Sequence, residues 1–90
     1  MGIVAVQVKI MPESPDVSMK NLKKKAEETI IKLGGKLNNV KEEPIAFGLN
    51  ALIITMAWPE EKETGIIESE LEKLEGTSSA KIIDYRRAFG

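Results

Sequence analysis

The sequence predicts an α+β sandwich, in which a four-stranded antiparallel sheet carries two helices on one face within a single domain, residues 1–90. Three observations lead to this prediction. The hydrophobic periods follow the order strand, helix, strand, strand, helix, strand. Each helical segment has one apolar stripe, so each buries only one side. The first and third strand segments are apolar and the second is polar, which is typical of central and edge strands respectively.

The first strand and the first helix have the clearest patterns. From Ile3 to Met11 one parity is entirely apolar, as in a strand with one buried face. Pro12 ends this strand, and Ser18 or Asp16 is suited to cap the helix that follows. The glycine pair Gly34-Gly35 ends that helix. Its apolar stripe consists of Met19, Leu22, Ala26, Ile30 and Leu33.

The second and third strands differ in polarity. The segment from Lys36 to Glu43 is extended in character but polar, and its apolar residues Leu37 and Val40 fall on opposite parities. This pattern predicts an edge strand, either straight or bulged. The segment from Leu49 to Trp58 is apolar on both parities, which predicts a central strand.

A shorter helix and a last strand complete the predicted order. Thr64 is suited to cap the second helix, and Gly76 ends it. Its glutamates are interpreted as a solvated surface. Alternation returns from Ser79 to Tyr85, and Arg86 to Gly90 are expected to form a tail. The apolar stripe of the second helix consists of Ile67, Leu71 and Leu74.

This order of elements is that of the ferredoxin-like fold, a split pair of strand-helix-strand units. In such a sheet the first and third strands are central and the second and fourth are at the edges. Two right-handed crossovers place both helices on the same face.

Composition excludes several classes of function. The chain has no cysteine and no histidine, which excludes disulfides, thiolate or imidazole zinc sites and histidine-dependent catalytic triads within it. We expect no cofactor and no membrane segment, because no apolar run is long enough to span a bilayer. The net charge of −1 argues against nucleic-acid binding, although the first helix is rich in lysine and the second in glutamate. A cytoplasmic protein is the default expectation.

The connection between the second and third strands has an unusual composition. It contains Ile45 and Phe47 between Pro44 and Gly48, whereas ordinary turns use small polar residues. The apolar residues either fold back as a lid on the core or form a rigid probe for another surface. Composition alone favours the lid, because apolar residues are usually buried.

The sites used by other proteins with this fold do not occur here. The copper chaperones have a Cys-x-x-Cys loop, and the acylphosphatases have a glycine-rich phosphate loop where this chain has Met11-Pro12-Glu13-Ser14-Pro15. RNA-recognition modules stack bases on sheet aromatics, but the outward positions of the first strand include Gln7 and Lys9. Glu42 and Glu43 alternate to opposite faces of a strand and cannot act as an acid/base pair. We therefore do not expect an enzyme. Ile45, Phe47 and the arginine tail lack an ordinary structural explanation and suggest contact with a protein partner.

Two motifs carry a resemblance to a known family. They are Met11-Pro12-Glu13-Ser14-Pro15-Asp16 and Glu43-Pro44-Ile45-Ala46-Phe47-Gly48-Leu49, followed by Lys62-Glu63-Thr64 and Asp84 in the same order. Over essentially its whole length the chain resembles archaeal elongation factor 1-beta and the C-terminal exchange domain of the eukaryotic factor.

The resemblance implies a guanine-nucleotide exchange factor for the elongation factor 1-alpha GTPase, which delivers aminoacyl-tRNA to the ribosome. In that family the aromatic residue of the Pro-x-x-aromatic-Gly connection enters a pocket on the GTPase, and Phe47 occupies this position. The eukaryotic family also places a lysine near its C-terminus at the GTPase magnesium site. This chain has no lysine after Lys81, so Arg86 or Arg87 is the candidate substitute.

The implied partner is the GDP-bound or nucleotide-free GTPase, and we expect a monomer in its absence. The alternative hypothesis is a small ferredoxin-like regulatory or self-associating binding module without exchange activity, which would use the polar edge strand. The predicted contact residues are Pro44, Ile45, Ala46, Phe47, Gly48, Arg86 and Arg87.

Overall fold

The structure, a computed structural model, describes residues 2–87. The elements follow the predicted order. The strands are β1 (Ile3–Pro12), β2 (Lys36–Pro44), β3 (Asn50–Pro59) and β4 (Thr77–Arg87), and the helices are α1 (Met19–Leu33) and α2 (Gly65–Glu72). A short 3-10 turn, Ala46–Gly48, lies between β2 and β3.

The sheet has the order β2-β3-β1-β4, and every neighbouring pair is antiparallel. The apolar strands β1 and β3 are therefore central, and the polar strand β2 is at an edge. This arrangement confirms the ferredoxin-like fold predicted from the sequence.

The hydrophobic core lies between one face of the sheet and the two helices. One parity of β1, from Val4 to Ile10, is buried against side chains of both helices. Trp58 is fully buried at the far end of β3. Because both helices cover the same side, the opposite face of the sheet carries no helix. The core residues of the helices are Leu22, Ala26, Ile30, Ile67 and Leu71.

The ends of α1 are fixed by specific contacts. The Ser18 hydroxyl accepts a hydrogen bond from the Asn21 backbone N–H, so Ser18 rather than Asp16 is the N-cap. Gly34 ends the helix with a left-handed φ of 101°. Lys62 Nζ donates a hydrogen bond to the Leu33 carbonyl and lies 5.6 Å from the centroid of the Trp58 ring. These contacts join the loop after β3 to the C-terminal end of α1.

A bulge explains the irregular pattern of β2. The pairing between β2 and β3 shifts register between Leu37 and Asn39. The extra residue brings Leu37 and Val40 to the same face, where both pack against the core despite their opposite parities. The bulged alternative for this edge strand is the one observed.

The outer edge of β4 is covered by glutamates of α2. The Ile82 backbone N–H donates to Glu68 Oε2 at 2.8 Å, and the Ala80 N–H donates to Glu72 Oε2 at 3.5 Å. The interpretation of all the α2 glutamates as solvated surface is therefore wrong for Glu68, which is half-buried, whereas Glu72 is exposed as predicted. Their carboxylates satisfy backbone donors that would otherwise be open to another strand.

Other sequence predictions need smaller corrections. Thr64 precedes α2 but makes no capping hydrogen bond through its side chain. The predicted arginine tail is wrong for Arg86 and Arg87, which are the last residues of β4. The rest of that tail, residues 88–90, lies outside the described residues. Neither helix in the described part of the chain is long and apolar enough to cross a membrane.

Replacing Glu68 with alanine tests the cover on the β4 edge. We expect Glu68→Ala to lower the free energy of unfolding by about 1 kcal/mol, because the Ile82 N–H loses a charged acceptor that water only partly replaces. Chemical denaturation measures the change. The matched control is Glu70→Ala, which removes only an exposed ion pair with Lys73 and should cost less than about 0.5 kcal/mol. Equal losses for the two variants would show that the edge contact does not stabilise the fold.

Candidate functional site

The connection between β2 and β3 is a closed turn at one end of the sheet. Pro44 and Asn50 are the last register pair of the two strands. Beyond them the Ile45 N–H donates to the Leu49 carbonyl at 2.8 Å, and the Leu49 N–H donates to the Ala46 carbonyl at 3.2 Å. These two hydrogen bonds restrict the backbone of the turn. We refer to residues 45–49 as the hairpin tip.

Phe47 has an unfavourable backbone conformation at the centre of the hairpin tip. Its φ of 62° and ψ of 32° place it in the left-handed region, and among residues 2–87 it is the one non-glycine residue with positive φ. A left-handed conformation costs an L-residue about 1–2 kcal/mol relative to the right-handed one. Gly48 follows with a φ of 74°, which glycine adopts without that cost. The bend thus needs two consecutive left-handed residues, and one of them is an aromatic.

The Phe47 side chain projects into solvent. It is 92% exposed, and the next most exposed large apolar side chain in the described residues is Ile31 at 59%. The lid alternative favoured by composition is therefore wrong for Phe47. Ile45 and Leu49 on either side of it are half-buried, so they fix the tip while the ring points outward. Pro44, Ala46 and Gly48 are exposed beside it. The ring projects as the probe alternative requires, and its contact with another surface stays a prediction.

Arg86 and Arg87 lie at the opposite end of the sheet. Arg87 is in register with Val4, which is itself paired with Trp58 near the end of β3. The hairpin tip instead follows Asn50 at the start of β3. Asn50 and Trp58 are eight residues apart, or roughly 26 Å at about 3.3 Å per residue. The two groups of predicted site residues therefore do not form one site.

Each arginine is paired with an acid of its own chain. Arg86 Nε lies 3.0 Å from Asp84 Oδ2, and Arg87 Nη2 is bonded to Glu60 Oε1. The Glu60 backbone N–H also donates to the Gly2 carbonyl at 3.0 Å. Glu60 was missed by the sequence analysis, because nothing distinguishes it from the neighbouring loop glutamates until the strand ends are brought together. The arginine end is thus an exposed, structured surface.

Within residues 2–87 there is no group of three or more acidic, histidine or cysteine side chains placed to hold a metal ion. A shallow depression of about 190 Å³ lies beside Ser18, Lys25 and Gly76, away from the hairpin tip. The feature that stands out is a projecting side chain on a fixed turn, which is suited to enter a pocket on another protein.

Comparison with known proteins agrees with the two motifs. Residues 5–87 match the model of the EF-1 guanine nucleotide exchange domain. The chain is 43% identical over 88 residues to elongation factor 1-beta of Methanothermobacter thermautotrophicus, with 97% of this chain and 98% of the relative covered. It is 42% identical over 89 residues to elongation factor 1-beta of Methanosarcina barkeri, with 97% and 99% covered. The matches span nearly the full length of both relatives, and the chain belongs to the elongation factor 1-beta family of guanine nucleotide exchange domains.

Proposed function

We propose that this chain accelerates release of GDP from the elongation factor 1-alpha GTPase by placing Phe47 in a pocket of the GTPase. Family membership supports the exchange activity and the partner. The observation that supports Phe47 as the contact is its combination of left-handed backbone and 92% exposure at a hydrogen-bonded tip. Both properties are unfavourable in the isolated chain, and strained, exposed aromatic residues are characteristic of binding surfaces.

The mechanism requires only a difference in affinity between two states of the GTPase. A GTPase holds its nucleotide through a phosphate loop, magnesium and ordered switch segments. If the factor binds more tightly when these contacts are loosened, it weakens nucleotide binding by the same factor by which nucleotide weakens its own binding. No covalent step by the chain itself is needed, and GTP reloads the emptied site afterwards.

Burial of one phenylalanine side chain yields enough free energy to account for a large coupling between factor and nucleotide. Burying its side chain stabilises a complex by about 1.5–3 kcal/mol, which corresponds to roughly 10- to 100-fold in an equilibrium constant. If the receiving pocket is open mainly when nucleotide is released, most of that energy favours release. The fixed hairpin tip adds to the effect, because a pre-formed turn loses little conformational freedom on binding.

The arginine end is proposed as a second contact. In this proposal Arg86 and Arg87 stand where the eukaryotic family has its C-terminal lysine, on the magnesium side of the nucleotide site. Both side chains are largely exposed, which supports access by a partner. Because this end lies roughly 26 Å from the hairpin tip along β3, the GTPase would have to contact both ends of the sheet.

The alternative of a self-associating module is not favoured. It needs an open strand edge, and both edges here are blunted. The β2 edge has a bulge and carries Lys41, Glu42 and Glu43, while the β4 edge is covered by Glu68 and Glu72. We accordingly propose a monomer in the absence of the GTPase, acting in the cytoplasm with the translation machinery.

Replacing Phe47 tests the hairpin tip directly. We expect Phe47→Ala to reduce stimulated release of a fluorescent GDP analogue from the GTPase by roughly 10- to 100-fold at subsaturating factor, because the buried aromatic contact is lost. The free energy of unfolding should change by less than about 0.5 kcal/mol, since the ring makes little contact within the chain.

The matched control is Ile31→Ala on α1, which also shortens an exposed apolar side chain. It should leave exchange unchanged. Full activity of folded Phe47→Ala would refute the proposed contact. A large loss of stability would instead show that the ring packs on the core.

Removing both arginine charges tests the second contact. We expect the double variant Arg86→Gln/Arg87→Gln to slow stimulated release by roughly 3- to 10-fold, since exposed charge pairs each contribute about 0.2–1 kcal/mol. The loss should be smaller than that for Phe47→Ala. The control Lys23→Gln/Lys24→Gln removes two exposed charges from α1 and should have no effect. Release at the wild-type rate would exclude the arginine end from the interface.

A further inference from the structure

The uncovered face of the sheet carries three lysines in one register row, on β2, β1 and β4. Lys41 of β2 is in register with Ile53 of β3, Ile53 with Lys9 of β1, and Lys9 with Lys81 of β4. We call these three lysines the lysine row. At about 4.8 Å between strands, the row extends roughly 14 Å across the sheet. It lies on the face opposite the helices, because the neighbouring residues of β1 are buried in the core.

The lysine row is not explained by the stability of the sheet. Lys9 and Lys81 are direct cross-strand neighbours, and like charges in that position destabilise a sheet. An acid at either position would give a favourable pair instead. Within residues 2–87 none of the three lysines takes part in an ion pair. Their charges are therefore available to an external acidic group.

Ile53 lies between Lys9 and Lys41 in the row. It is only 7% exposed, although no helix covers this face. Its two cross-strand neighbours are Lys9 and Lys41, whose aliphatic stems can lie over it while their ammonium groups remain in water. The low exposure of Ile53 agrees with stems that lie over it and restrain the two charges.

The surrounding charges leave the face positive. Lys36 and Arg86 share it with the acids Glu43 and Asp84, and Asp84 is already paired with Arg86. Glu43 lies two residues beyond Lys41 on β2, toward the hairpin tip. With the lysine row included, basic side chains outnumber acidic ones on this face.

The chemistry of the face favours an acidic protein surface over a nucleic acid. Single-stranded nucleic acids bind by stacking bases on aromatic side chains as well as by phosphate contacts. None of the described aromatics lies on this face. Trp58 is in the core, Tyr85 is in register with core-facing Val6, and Phe47 is at the hairpin tip.

From this arrangement we infer that the lysine row docks an acidic patch of the same GTPase that receives Phe47, and that it guides and orients the approach. The inference rests on the proposed function. One end of the row, Lys41, lies on the hairpin that carries Phe47, three residues before Pro44 of the closing pair, and Lys9 and Lys81 continue the row across β1 and β4. Complementary charge near an aromatic anchor mainly raises the rate and specificity of encounter.

The test uses the double variant Lys9→Gln/Lys81→Gln in the GDP-release assay with the nucleotide-loaded GTPase. We expect the factor concentration for half-maximal stimulation to rise roughly 3- to 30-fold at low ionic strength. The maximal rate should remain that of the wild type, and the dependence on salt should become shallower.

The charge-conserving variant Lys9→Arg/Lys81→Arg should retain wild-type behaviour, and so should Lys23→Gln/Lys24→Gln on α1. Gln keeps two methylenes of the Lys9 stem beside Ile53 and removes the Lys9–Lys81 repulsion, so unfolding is not expected to obscure the result.

The outcomes separate the two proposals. If the wild-type chain does not accelerate release, the proposed function fails and the lysine row loses its partner. If the wild type is active and the Gln variant has the same half-maximal concentration and salt dependence, the lysine row inference is overturned while the function stands. If the Gln variant exchanges normally but loses affinity for a labelled oligouridylate, a nucleic acid is the occupant and the inference is likewise overturned.

Discussion

The outward position of Phe47 depends on closure of the hairpin tip by the hydrogen bond from the Ile45 N–H to the Leu49 carbonyl. With the flanking residues half-buried and hydrogen-bonded, the chain turns through two left-handed positions, and the ring projects from the turn into solvent. The cost of that conformation, about 1–2 kcal/mol, is small against the total stability of a domain. The sheet and core can therefore tolerate one strained, exposed aromatic.

The sheet serves as a rigid spacer between two exposed ends. β3 is paired on both sides and is buried along most of its length, so the distance between the hairpin tip and the arginine end is fixed by strand geometry. The Lys62 contacts with Leu33 and Trp58 stabilise the loop that holds Glu60, and Glu60 in turn positions Arg87. An interface on both ends would then have little freedom to adjust, which suits a partner that must itself rearrange.

The sequence predicted the fold well where the hydrophobic pattern of a segment has only one interpretation. β1, α1 and β3 have unambiguous patterns, and the glycines at the end of α1 mark its boundary. The sequence analysis wrongly assigned Arg86 and Arg87 to a tail. The pairing of β4 with β1 shifts register beyond Ile82, and this shift breaks the alternation that would have extended the predicted strand to these residues. The backbone contacts of Glu68 could not be predicted, since they depend on how α2 packs beside the edge strand.

The candidate site was only partly predictable. Composition singled out Ile45 and Phe47 and favoured burial of both side chains. In the structure Ile45 is half-buried, whereas Phe47 is exposed. No residue preference would place a phenylalanine in the left-handed region, so its exposure follows from the turn as a whole. The lysine row was not visible either, because Lys9, Lys41 and Lys81 are distant in sequence and meet only through strand register.

Fluorine NMR of the chain with 4-fluorophenylalanine at position 47 tests most directly whether this ring is exposed when free and enclosed by the GTPase. We predict that in the free protein the resonance shows the H₂O/D₂O solvent-isotope shift of an exposed ring. On addition of nucleotide-free GTPase the resonance should move and lose that shift, and excess GDP with magnesium should restore the free signal. A ring without the isotope shift in the free protein, or a resonance unchanged by the GTPase, would contradict the account.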